Sequence, residues 1–286
     1  MSTIELWDIS SAGNVVKLRI LRESRQINAF VVVNITLIVL CSTSRILSFH
    51  NDPEVIFIQV IFDKLYPREA NICVFIFKTT MTLGCLVMVA HTYQVIYVTQ
   101  QVKFQMYLCN AFIEGLNIHF QELEDPIRSN IYQKEIESKL KMIIDRHCVF
   151  LRGTNNGLML MSNLIIPFTI GAITIGISMV LSFLQEVLSW RYYLMTVVAL
   201  FTISSLVTAG QLFEDESENM FLKFTATEWY TWNIRNRKTL VLILMNTAQP
   251  LRLKFSESFV INFDLLVFIC KAFYSVLSIL VKVKYN

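Results

Sequence analysis

The stretch FVINFDLLVFICKAFYSVLSILV, residues 259–281, decides the fold. It is apolar and long enough, at 1.5 Å per residue, to cross a ~30 Å hydrocarbon core as a helix. It is not uniformly apolar. Laid out at 100° per residue, Asp264, Lys271, Ser275, Ser278 and, just beyond the stretch, Lys282 fall on one face. Ionisable groups inside a membrane are costly and usually face a bundle interior or a water-filled path. Such a stripe suits the lining of a pore or cavity. The plainer alternative is snorkelling at the ends with one lysine satisfied between helices.

The rest of the chain agrees with a membrane protein. Of 286 residues, 54% are hydrophobic and 16% charged, with mean hydropathy +0.52; soluble domains carry roughly 25% charged residues. The net charge of +3 is small, and no basic stretch is dense enough to track nucleic-acid phosphates. Apolar runs at Ile27–Phe49, Ile72–Ile96, Leu158–Leu184 and Tyr192–Leu212 make four further spans, five in all. The fold expected is an all-α polytopic bundle. Asn34-Ile35-Thr36 is formally a glycosylation sequon, but inside a span it cannot meet the glycosylation machinery.

Between spans the pattern changes. Phe104, Tyr107/Leu108, Ala111/Phe112 and Gly115/Leu116, continuing to His119/Phe120, recur every three to four residues, so the second helix should run on outside the bilayer. Glu124-Asp125-Pro126 should break it. A second amphipathic stretch carries Ile136, Leu140, Ile143/Ile144, His147 and Phe150/Leu151. Residues 214–238 read as a polar, charge-mixed segment, followed by a helix-like run at 240–245 and a break at Gln249-Pro250. The expected organisation is 1–96 (N-terminal segment and two spans), 97–157 (cytoplasmic amphipathic helices), 158–212 (two spans), 213–258 (a cytoplasmic anchor) and 259–286 (the last span and outer C-terminus).

Charge placement sets the orientation. With the N-terminus inside, seventeen Lys and Arg lie on inner segments against five on outer ones, a strong positive-inside bias. The C-terminus is then extracellular. Six scattered cysteines without CxxC spacing argue against a disulfide framework. The four histidines form no HxxxH box, and His147-Cys148 alone is a poor metal site. No phosphate-binding loop or nucleophile elbow is present. Nothing points to an enzyme, a cofactor or a metal.

A set of short motifs, in order, resembles the C-terminal signature of insect odorant receptors: Trp229-Tyr230, Arg237-Lys238-Thr239-Leu240, Gln249-Pro250-Leu251, then Lys271-Ala272-Phe273-Tyr274-Ser275. Phe273 stands where the family often has Ser. Related gustatory receptors typically carry a Thr-Tyr and Gln-Phe signature in the last span, which is not seen at Tyr274-Ser275-Val276-Leu277. A transporter would show internal repeats and broken spans; none is visible.

The resemblance implies a ligand-gated, non-selective cation channel subunit that detects small apolar volatile molecules. Its setting would be the lipid of the plasma membrane of sensory-neuron dendrites, as a heterotetramer with an odorant co-receptor. It places the pore and gate at Leu277 and Val281 with Ser278, Ser275 and Lys271, although Leu277 and Val281 sit off the polar stripe. It places the ligand among Leu40, Ser44, Phe75, Thr79, Tyr193 and Thr196. Trp229, Tyr230 and Pro250 would serve anchoring and assembly. The family has seven helices where five spans are read here, so the chain is expected to lack the first two, as a partial gene model or a truncated, non-functional copy would.

Overall fold

The computed structural model describes residues 7–46, 62–116, 126–162, 190–256 and 259–285. Among the described residues six long helices dominate: α1 (Asn14–Ile46), α2 (Ala70–Glu114), α3 (Asn130–Ser162), α4 (Trp190–Thr225), α5 (Ile234–Thr247) and α6 (Phe263–Tyr285). A short antiparallel pair, β1 (Lys254–Ser256) with β2 (Phe259–Val260), precedes α6. The span expected at 158–184 lies outside the described residues beyond Ser162, as do Asn286 and residues 47–61 and 117–125.

Three of the helices, α1, α2 and α4, are long and apolar enough to cross a membrane. Each is longer than the span read from hydropathy. At 1.5 Å per residue, the 45 residues of α2 extend about 68 Å, more than twice a ~30 Å hydrocarbon core. Hydropathy marks where side chains stop being apolar, whereas helical hydrogen bonds run on until a breaker intervenes. Hence α1 begins at Asn14 rather than near Ile27, and α4 continues from Trp190 through the charged 214–225 stretch. At the other end the correction is reversed. Phe259 and Val260 are strand residues, and the last helix starts only at Phe263. Ile261 N–H bonds the Leu253 carbonyl at 2.8 Å, which holds that backbone extended. Asp264 then sits in the first turn of α6, where a carboxylate suits the helix dipole.

The chain divides into two compact units. The first comprises Met1–Gln26, Ile96–Ser162 and Thr208–Asn262. Its core is built from four helices: Met106, Cys109, Ile113 and Leu116 of α2; Tyr132, Ile136, Leu140, Ile143 and Phe150 of α3; Phe213, Met220 and Phe224 of α4; Leu240 and Ile243 of α5, with Trp232 among them. The three-to-four spacing on every helix puts each set on one face. A smaller cluster joins Ile20 to Tyr107 and Leu108.

The second unit comprises Ile27–Val95, Asn163–Val207 and Phe263–Asn286. It is greasy outside as well as inside. Val32, Val33 and Val39 on α1, Ile72, Ile76, Leu83 and Val87 on α2, and Val197 and Leu200 on α4 are all exposed large hydrophobics. Surfaces of that composition are what hydrocarbon, not water, would cover.

Candidate functional site

Among the described residues of the second unit, a polar knot joins three helices. Asn34 of α1 is 1% exposed, and its amide donates to the Tyr93 hydroxyl of α2 and, at 3.0 Å, to Thr202 Oγ1 of α4. Thr202 Oγ1 in turn donates to the Val198 carbonyl at 2.9 Å, and Phe30 stacks on Phe201. Three membrane helices are thereby tied at one level. The sequon containing Asn34 is an interior hydrogen-bonding residue.

The six residues expected to contact ligand all lie on the same side of this knot. From Asn34 the chain climbs α1 to Leu40 and Ser44; from Tyr93 it runs back along α2 to Thr79 and Phe75; from Thr202 it runs back along α4 to Thr196 and Tyr193. Leu40, Phe75 and Tyr193 are 56%, 58% and 60% exposed, so the described residues leave them on open surface rather than in a closed chamber. Ser44 and Thr79 turn their hydroxyls onto their own helices, at the carbonyls of Cys41 and Phe75.

The last helix is apolar, and most of its described side chains are exposed. On α6 Lys271, Ser275, Ser278 and Val281 are exposed. So are Val267, Phe268, Phe273, Tyr274, Val276 and Ile279, which share no single face. Ser278 bonds the Tyr274 carbonyl at 2.9 Å, a backbone-satisfied hydroxyl of the kind a membrane helix tolerates. Leu277 is on this helix, with its side chain outside the described set.

The first unit is held by buried polar groups that sequence reading passed over. Lys103 is 2% exposed, pairs with Glu23 at 2.8 Å and lies near the Tyr107 ring. Tyr107 donates to Glu23 at 3.0 Å, and the Arg19 guanidinium covers the Tyr107 ring at 4.0 Å. Lys103 thus sits inside a satisfied cluster, and this part of α2 is wrapped on most sides, unlike a helix resting on a lipid surface. Asn110 donates to Glu216 across the same core.

Gln133 is the second buried junction. Its side chain donates to the carbonyls of Pro126 and Thr231, both at 3.0 Å. It accepts from Asn233 N–H at 2.7 Å and Asn236 Nδ2 at 3.1 Å. Asn233 in turn caps α5 through Asn236 N–H. The aromatic cluster divides accordingly. Trp232 is fully buried, whereas Trp229 and Tyr230, the residues expected to anchor, are 46% and 59% exposed. Pro250 follows the end of α5 and is half-buried. A three-residue 3₁₀ turn, Trp229–Thr231, carries the two exposed rings, and the buried Trp232 follows directly as its C-cap. Exposed apolar side chains continue along α5 at Ile234, Val241, Leu242 and Met245.

A cleft of about 410 Å³ in this unit is lined by Trp7, Lys141, Asp145 and Arg146, among others, with the Arg146 guanidinium 4.4 Å from the Trp7 ring. Beside it, burial holds the His147 imidazole below its ordinary pKa.

Three helices of membrane-crossing length and composition, with apolar side chains on their outer surfaces, define a polytopic membrane protein. The family model described as 7tm Odorant receptor matches residues 12–274, and the chain belongs to that family. No curated protein matches it. The protein is therefore a chemoreceptor of the odorant class, a membrane protein from a family of receptors rather than enzymes.

Proposed function

We propose that the protein is an odorant-gated, non-selective cation channel subunit that assembles with a co-receptor into a tetramer in the plasma membrane. The observation that carries this reading is α6: a 23-residue apolar helix with a polar stripe of Lys271, Ser275 and Ser278, all three exposed within one chain along with apolar neighbours such as Phe268, Phe273 and Ile279. Around a shared axis, four such helices would bury those surfaces and leave a lined path between them. Leu277 and Val281, one turn apart, would form the constriction, and an apolar ring too narrow for hydrated ions closes by dewetting.

The odorant would bind above the Asn34 knot, between α1, α2 and α4, with Leu40, Ser44, Phe75, Thr79, Tyr193 and Thr196 as walls. The first unit, on the cytoplasmic side by the charge asymmetry, would anchor the assembly. Trp229, Tyr230 and the exposed stripe of α5 supply its intersubunit face, with Pro250 setting the exit of the chain from α5.

Current recording on cells expressing the chain beside a co-receptor tests the reading. Leu277→Ser is expected to raise basal current and Ser278→Leu to lower it. Were both substitutions to leave conductance untouched, α6 would not line the pore.

A further inference from the structure

Two stretches that lead into α6, residues 251–256 and 259–262, form a strap fastened to one face of α4. Gly210, Glu214 and Ser217 recur at four and three residues, so they lie in a row on that helix. Each meets the strap. Arg252 Nε donates to Glu214 Oε1 at 2.6 Å, and the Glu214 side chain is only 11% exposed. Leu251 N–H donates to Ser217 Oγ at 2.8 Å. At Gly210 the approach is closer still: a Cβ there would stand 2.0 Å from the Ile261 carbonyl oxygen, and Ile261 is fully buried. The strap is also braced against itself by the β1–β2 pair and by the Ile261-to-Leu253 hydrogen bond. It has little slack with which to absorb a displacement.

At its far end the strap passes directly from Asn262 into Phe263, the first residue of α6. α4, for its part, is one unbroken helix, and Tyr193 and Thr196 stand on it 14 or more residues before Gly210. Helical hydrogen bonding is continuous from Trp190 to Thr225, so Tyr193 and Glu214 stand on one element of the kind that carries coupling between sites. We propose that this clasp is the point at which α4 hands ligand-driven movement to the last helix, with Glu214 and Arg252 as positioning residues for gating. The proposal rests on the pocket and pore reading above. It assigns neither residue to ligand or to ions.

The test compares Glu214→Gln, Arg252→Gln and the charge-keeping Arg252→Lys with the parent in a co-expressed complex, recording odorant dose–response curves and surface amount. Loss of the ion pair is expected to raise the half-maximal odorant concentration roughly fivefold or more, the size of a typical coupling free energy, at unchanged surface amount. Arg252→Lys should stay near the parent. In parallel, amide exchange on purified protein without odorant should quicken in the strap and in the first turn of α6 for the two Gln variants only. An unshifted dose–response, a current loss that merely follows surface amount, or unchanged exchange would each overturn the proposal. A parent chain that gives no odorant current defeats the channel reading instead, and the exchange arm then decides the clasp alone.

Discussion

Gln133→Leu should unfold the first unit far more readily than its position at one end of α3 suggests. Leucine nearly matches glutamine in volume, so the change removes chemistry without opening a cavity. Four side-chain hydrogen bonds go: to the Pro126 and Thr231 carbonyls, from Asn233 N–H and from Asn236 Nδ2. At roughly 1 kcal/mol net per bond the loss is about 4 kcal/mol. Stranded donors raise it: Asn236 is 1% exposed and retains only the Gln133 backbone carbonyl as its bonded partner from α3. Gln133 itself is only 4% exposed, so bulk water has little access to the groups left behind. For a unit of this size a loss of that order lowers the melting temperature by on the order of 10 °C. Cys109, fully buried in the same core, supplies the assay. In a background keeping it as the sole thiol, labelling by a thiol-reactive dye during heating reports when that core opens. The exposed Ile131→Ala is the control. A Gln133→Leu curve superimposable on that of Ile131→Ala would refute the idea that this junction holds α3 to α5.

Acid should weaken the same unit through His147. Burial lowers its pKa from an ordinary 6.5, so the neutral imidazole stabilises the fold fully above that value, and the contribution is lost as pH falls through the folded pKa. Melting temperatures across this range should fall less steeply for His147→Leu than for the parent; equal slopes would remove His147 as the cause. Asn34→Leu should cost only about 1–2 kcal/mol, because hydrogen bonds between membrane helices are individually weak. Damage by heat as severe as that of Gln133→Leu would contradict this ranking. Finally, an epitope tag at the C-terminus should be labelled on intact cells and one at the N-terminus only after permeabilisation; the reverse pattern would overturn the orientation.

Hydropathy and periodicity are local properties, and what depends on them was readable from the chain alone. Membrane-length runs, the core stripes of α3 and the persistence of α2 beyond its apolar segment all follow from which side chains recur on one face. The family was legible too, through the order of short motifs from Trp229 to Ser275. Element ends were not, because a helix such as α4 continues through Glu214-Asp215-Glu216 as long as its backbone bonds and one packed face survive. Nor could the sequence choose between Trp229 and Trp232, which differ in no intrinsic preference. The fold buries one and exposes the other. The partners of Gln133 lie about 100 residues away at Thr231, Asn233 and Asn236, and those of Glu23 lie 80 and 84 residues away at Lys103 and Tyr107. Polar residues at such positions look solvated until the fold supplies their partners. Gly210 shows the same limit: its missing side chain has a reason only once the Ile261 carbonyl has been brought against it, and proximity of that kind is a property of packing that no local pattern encodes.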